Sequence, residues 1–275
     1  MIATRKRKRR GSRIIVNILI LICAVVLVYS AYNLISYYLA GKKAEDAYVK
    51  LRYVPTSQQT PPSGADGDYS LKKSHYESLY KKNSDFVGWV RIPGMRVDYP
   101  VMQTPNDEQF YLHRDFQKNY SVFGCIFASA ISDVNRPSDV ITLYGHKMKN
   151  GSMFGSLSDL ESKSFAQKHR YIFFDTLKQR RSYEIFCVFR TDVSLNNPNT
   201  FKYYDYSDFT DENNFAEFIS GAQKRQFFDT WETVEYGDRF LMLSTCEYSS
   251  ANGRLIVLAK EVPNSKVPKK IRDGA

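Results

Sequence analysis

The sequence predicts a mainly β domain, folded as an antiparallel barrel or a sandwich and held behind a single transmembrane helix. Three observations predict it. From Asp85 onward about eight short runs rich in Val, Ile, Phe and Tyr recur between turn signals. Few helical stretches separate them, which argues against a βαβ sheet. Before them, 27 residues from Ile14 to Ala40 carry no charge, more than the roughly 20 a helix needs to cross the hydrocarbon core. One segment, residues 208–226, breaks the strand pattern with helical periodicity.

The elements follow in chain order. Arg5, Lys6, Arg7, Lys8, Arg9, Arg10 and Arg13 form a basic N-terminus, which orients the following span with residues 1–13 in the cytoplasm and the remainder outside. Tyr29, Tyr32, Tyr37 and Tyr38 gather in the second half of the span 14–40, as aromatic rings do at an interface. A cleaved signal peptide is the alternative, with Val28-Tyr29-Ser30 as its site, but the apolar run continues ten residues past it. Residues 41–70 read as a stalk that begins as a charged helix and ends in TSQQTPPSGADGD, a composition unable to bury a core. Ser74 and Glu77 have capping-box spacing and open a short helix to Lys82.

The strand runs are FVGWVRI, RVDYPVMQ, GCIFASA, DVITLYGH, RYIFFDT, RSYEIFCVFR, RFLMLSTC and RLIVLAKEV. Within 208–226, Phe215, Phe218, Ile219 and Ala222 fall at i, i+3, i+4 and i+7, with acidic residues ahead and Lys224-Arg225 behind. That is an amphipathic helix. After Pro263 a short basic tail, residues 263–275, is expected to fray.

Charge and cysteine usage narrow the class. The chain has 275 residues and a net charge of +10, which at first suggests a nucleic-acid partner. The N-terminal cluster holds seven of those charges and leaves +3 for the rest of the chain, so nucleic-acid binding by the folded part loses its main warrant. Cys23 lies in the apolar span, leaving Cys125, Cys187 and Cys246 outside it, without CxxC spacing. An odd number cannot pair within one chain, and the spacing forms neither a disulfide framework nor a zinc site. No metal and no organic cofactor is implied.

Among the four histidines, His146 follows the strand run DVITLYG and precedes a polar loop. Cys246 ends another strand run, and Arg254 begins the next. If those last two strands form a hairpin, Cys246 and Arg254 become neighbours. A thiolate nucleophile, an imidazole to relay a proton to a leaving amine and a guanidinium to hold an oxyanion make a coherent trio. Spacing alone also allows a small buried cysteine, a loop histidine and a rim arginine.

The segments LYGHKM around His146, LSTCEY around Cys246 and ANGRLIV around Arg254 resemble the three signature segments of sortases, membrane-anchored cysteine transpeptidases of Gram-positive bacteria. NSDFVGWVRIPGMRVDYPVMQ, FYLHRDF and GCIFAS are similar to class B members, as are the helix before the first strand and the helix of 208–226. The likeness runs over residues 71–262, the expected catalytic domain. It implies a closed eight-stranded barrel with an N-terminal helix and one long inserted helix.

The resemblance also implies a reaction. Cys246 would attack the threonine carbonyl of a C-terminal sorting pentapeptide in a secreted protein. His146 would protonate the departing amine, and Arg254 would steady the oxyanion or the peptide. An amine of a peptidoglycan precursor or of a pilin-like subunit would then resolve the thioester. Tyr144, Ser244, Glu247 and Leu112 match groove positions. Glu108 departs from the family, where a polar uncharged residue is usual, and alters the polarity of that side of the groove. Asn197-Pro198-Asn199-Thr200 mimics the core of a class B sorting signal without its hydrophobic tail. Cys125 and Cys187 read as buried and inert, and His75, His113 and His169 as ordinary. Two rival functions stay open, a cysteine endopeptidase and a membrane-tethered binding module.

Overall fold

The structure, a computed structural model, describes residues 5–53, 69–194, 200–247 and 252–273, with side chains throughout these except at 5–12, 71, 246 and 247. The NPNT sequence at 197–200 therefore lies, apart from Thr200, outside the described residues.

The chain divides into two units, Met1–Asp46 and Ala47–Ala275. The first belongs to helix α1, Arg5–Leu51, whose side chains from Ile14 to Leu39 are largely exposed and apolar. It is long and apolar enough to cross a membrane. The second unit begins with the last turn of that helix, which sequence composition assigned to a stalk. Tyr48 and Leu51 are instead buried there. The Tyr48 hydroxyl bonds the Gly124 carbonyl and its ring meets Tyr99 edge-on at 5.4 Å. Arg52 pairs with Asp98 at 3.0 Å.

Helix α2, Tyr69–Lys82, starts five residues before the expected capping box, and Ser74 lies inside it. Tertiary anchors account for the early start. Tyr69 donates to the Thr176 carbonyl at 2.8 Å and Tyr76 to Asp175 Oδ2 at 3.1 Å, so both tyrosines are buried on the barrel. Asp175 also receives a buried fork from Arg180, at 2.7 and 2.9 Å.

Eight strands make the barrel: β1 Phe86–Arg91, β2 Asp98–Met102, β3 Ile126–Ala128, β4 Val140–Gly145, β5 Tyr171–Thr176, β6 Arg180–Asp192, β7 Phe240–Glu247 and β8 Gly253–Val262. They close in the order β1-β2-β3-β4-β7-β8-β6-β5. Each expected run holds one of them. The barrel is not wholly antiparallel, however, because β2 with β3 and β4 with β7 run parallel. Such pairs need long crossovers, and residues 146–239 supply one between β4 and β7.

The first part of that crossover contains a 3₁₀ turn at Gly155–Glu161 and helix α3, Lys163–Lys168, which the sequence pattern did not disclose. Both are short, and Leu157, Leu160 and Ala166 hold them by burial rather than by periodicity. The expected amphipathic helix is α4, Glu212–Gln223, capped by Asp211, which accepts from the Asn214 amide at 2.9 Å.

Strand alternation sorts β7 and β8 into two faces. Phe240, Met242, Ile256 and Leu258 pack under Phe215, Phe218, Ile219 and Ala222 of α4. Leu241, Leu243, Leu255 and Val257 take the other face and are fully buried. The C-terminal segment is not frayed throughout. Val267 is buried with Tyr171, Phe173 and Val262, and α5, Lys269–Asp273, follows it, with Ile271 packed alongside.

Candidate active site

Two registers build the site. In the parallel pair β4 and β7, Tyr144 stands beside Ser244 and Gly145 beside Thr245. One step further along both strands, position 146 falls next to position 246. In the antiparallel pair β7 and β8, Cys246 is opposite Arg254 and Glu247 opposite Gly253. Adjacent strands lie about 4.8 Å apart. One strand end far away in sequence and one hairpin thus bring positions 146, 246 and 254 to one end of the barrel. The side chains of Cys246 and Glu247 lie outside the described set, and only their backbone is placed.

His146 is held by a carbonyl. Its Nε2 lies 2.7 Å from the Leu112 carbonyl oxygen. That oxygen only accepts, so Nε2 carries a proton, and in the neutral ring Nδ1 is the basic nitrogen. Leu112 sits in a 3₁₀ turn, Phe110–His113. Gly124 presses on the turn from the other side, where a Cβ would collide with the Leu112 carbonyl and come within 2.7 Å of the Tyr111 carbonyl. The Cys125 amide donates to Tyr111 O at 2.9 Å and completes the ledge.

Burial pulls His146 below the ordinary histidine value. The bond to Leu112 opposes that shift, and the neighbouring His113 adds to it. His113, read from the sequence as an ordinary histidine, stands beside the site, its ring centre 5.3 Å from that of His146.

A groove of about 450 Å³ opens on this end of the barrel. His146, Leu112, Tyr144, Ser244 and Arg254, all expected at a site, line it together with Glu108, Ser129 and Tyr203. Tyr203 escaped sequence reasoning because its 3₁₀ turn, Tyr203–Asp205, has no periodic signature. It is buried, and its hydroxyl lies 2.8 Å from Ser244 Oγ, so the two hydroxyls share one bond. Tyr144 faces Phe127 at 5.5 Å, and burial pushes its phenol well up, aided by Tyr203 and Glu108. Arg254 donates from Nη1 to the Gly253 carbonyl at 2.8 Å, leaving the rest of its fork directed by other contacts or solvent.

The remaining thiols differ in kind. Cys125 and Cys187 are buried, and burial pushes each thiol up to about 12. They stay protonated at neutral pH and make poor nucleophiles. His75 bonds the Leu51 carbonyl at 2.7 Å and His169 the Pro93 carbonyl at 2.9 Å. Among the described residues no group of three or more His, Cys, Asp or Glu is placed to hold a metal ion.

A closed eight-stranded barrel with this strand order and a groove ending at strand-terminal His, Cys and Arg positions defines a class, and comparison with known proteins agrees with it. The Sortase domain family model matches residues 90–262, and the chain belongs to the sortase family. Its relatives are class B members, which makes it a sortase-type cysteine transpeptidase and removes the binding-module alternative. It is 27% identical to Sortase B of Staphylococcus aureus over 253 residues, 91% of this chain and 98% of the relative. To Sortase B of Listeria monocytogenes it is 29% identical over 193 residues, 69% of this chain and 75% of the relative.

Solved structures agree. Sortase B from B. anthracis in complex with AAEK1 superposes with a TM-score of 0.68 at 27% identity, covering 82% of this chain and 99% of the other. A Staphylococcus aureus sortase B–substrate complex gives 0.67 at 26%, with the same coverage.

Proposed function

We propose that the chain cleaves a C-terminal sorting pentapeptide of secreted proteins after its threonine and transfers the protein to an amine, with Cys246, His146 and Arg254 as the reacting groups. The observation that carries this is the pair of strand registers that sets positions 146, 246 and 254 side by side at the end of a groove. The depressed basicity of His146 favours a neutral imidazole at rest. Its Nδ1 takes the thiol proton as sulfur adds to the threonine carbonyl. Arg254 stabilises the negative oxygen that forms. Collapse breaks the C–N bond, His146 returns the proton to the departing amine, and a thioester on Cys246 remains. An amine of a peptidoglycan precursor or pilin-like subunit then adds to the thioester, loses a proton to His146 and releases the thiol.

Tyr144, Leu112 and Ser244 serve as groove walls, supported by their place along it, and Glu247 is assigned to the same rim from its strand position. The binding of substrate by a class B relative, the Staphylococcus aureus sortase B of the substrate complex, supports a substrate site in this groove. We also read residues 1–13 as cytoplasmic, 14–40 as a single-pass anchor and the barrel unit as extracellular, with the expected linker of 41–70 and tail of 263–275 reduced by the residues that pack on the barrel, Tyr48, Leu51 and Tyr69 before it and Val267 after it. The basic cluster ahead of the apolar helix supports that orientation.

Mass spectrometry of the full chain in detergent with a sorting peptide tests the reaction. An acyl adduct on Cys246 is expected, resolved faster as an added amine is raised, with an amide product. Cys246→Ala should abolish adduct and cleavage. Cleavage without any amine-dependent product would identify an endopeptidase instead.

A further inference from the structure

Two backbone supports fix His146, and both lead back to one side chain outside the groove. The first is the ledge. The Gly124–Cys125 peptide donates its amide to the Tyr111 carbonyl at 2.9 Å, and its carbonyl oxygen accepts from the Tyr48 hydroxyl. A bond to a peptide oxygen polarises the N–H of the same peptide, so the two bonds strengthen one another. The next carbonyl along the turn, that of Leu112, holds the His146 ring at 2.7 Å.

The second support is the loop that leaves His146. The Phe154 amide donates back to the His146 carbonyl at 3.0 Å, and the residue before it, Met153, is left-handed at φ +54°. A methionine adopts that conformation only at a cost, and here the Tyr99 phenol oxygen holds it by accepting from the Met153 amide at 3.0 Å. The Tyr48 ring packs edge-on against Tyr99, with centres 5.4 Å apart. Tyr48 and Tyr99 are both buried, so removing either hydroxyl leaves its partner unpaired away from water.

We infer that Tyr48 is a positioning residue for His146, its hydroxyl bracing the ledge under the imidazole and its ring bracing Tyr99 behind the loop. The inference rests on His146 being a reacting group. Tyr48 belongs to the last turn of α1 and is not among the described residues that line the groove. It therefore acts on the rate of the reaction and leaves the hold on the peptide alone.

The test uses the full chain in detergent with a sorting peptide. Tyr48→Phe removes the hydroxyl and keeps the ring. Its kcat is expected to fall by about five- to tenfold, the span of one buried neutral hydrogen bond, with KM nearly constant. Tyr48→Ala removes both braces, and the loss should reach about 10²-fold, as for a misplacement near 1 Å. A second readout separates positioning from stability. The Leu112 bond opposes the downward shift of the His146 pKa, so a slackened ledge moves the acid limb of kcat/KM to lower pH. Arg52→Gln is the control, because it breaks the 3.0 Å pair with Asp98 at the end of the same helix while both braces keep their residues. It should lower Tm and leave kcat and the acid limb in place.

A Tyr48→Phe chain with kcat within about twofold of the wild type, or with its acid limb unmoved, would overturn the inference while the function stands. So would a loss of kcat that Arg52→Gln reproduces, since that would reduce Tyr48 to a docking contact. Should Tyr48→Ala not fold, Tyr48→Phe alone decides. His146→Ala runs alongside, and retained cleavage there would strike the proposed function and the inference with it.

Discussion

Replacing Gly124 by alanine tests whether the Leu112 carbonyl is what aims His146. Gly124 has φ +56°, and an added Cβ would run into the Leu112 carbonyl oxygen, with Tyr111 O at 2.7 Å. Both obstacles are backbone and cannot swing aside as a side-chain tip could. The left-handed conformation costs an alanine about 1–2 kcal/mol, and forcing an atom into a filled space adds about 1–3 kcal/mol. A loss of about 2–5 kcal/mol should lower Tm by about 4–20 °C.

The larger consequence falls on activity. To relieve the collision the Leu112 carbonyl must move, and it moves against the imidazole it orients at 2.7 Å. A displacement near 1 Å of a catalytic group costs about 10²-fold, so kcat/KM for peptide cleavage should fall by about that factor at a temperature where the variant is fully folded. Circular dichroism sets that temperature, and stopped assays give the rate. A folded Gly124→Ala chain with kcat/KM within threefold of the wild type would refute the ledge as the support of His146.

The other outcomes concern charge. Burial lowers the pKa of His146, and the proposed mechanism uses its neutral form at rest, so on that mechanism cleavage should be lost as pH falls through a value below the ordinary histidine value of about 6.5. An acid limb of the kcat/KM profile above 6.5 would contradict this. His113→Gln, by removing a like charge beside that ring, should move the limb upward, read from the same profile. Arg254→Lys keeps the charge but loses the planar fork, so single-turnover acylation should drop by about 10²-fold or more, as loss of an oxyanion donor does. Asp175→Asn strands the buried Arg180 guanidinium, whose fork reaches that carboxylate at 2.7 and 2.9 Å. Chemical denaturation should show a loss of about 3–5 kcal/mol, while Asp175→Leu with Arg180→Met costs less than the single change.

What the sequence discloses and what it conceals divide along locality. The eight strand runs are legible because β-branched and aromatic residues cluster between turns, and α4 is legible because Phe215, Phe218, Ile219 and Ala222 share one helical face. The start of α2 is misjudged because Tyr69 and Tyr76 hold it from the barrel side, a force no local cap reveals. Parallel pairing of β4 with β7 is invisible for the same reason, since nothing within either strand names its partner. The hairpin that sets Cys246 opposite Arg254 joins neighbours in sequence and could be anticipated. The support around His146 could not, because Leu112 contributes a backbone carbonyl and Gly124 contributes only the absence of a side chain. Neither leaves a mark in residue chemistry.

The parallel pairing of β4 with β7 also sets when the molecule can act. His146 and Cys246 are 100 residues apart, and nothing short of barrel closure brings their strands into register. Loop closure over that length is among the costlier steps of folding and belongs to its late, slow phase. On the proposed mechanism, pairing of thiol and imidazole is a cooperative property of the finished barrel, because only the closed sheet sets positions 146 and 246 side by side.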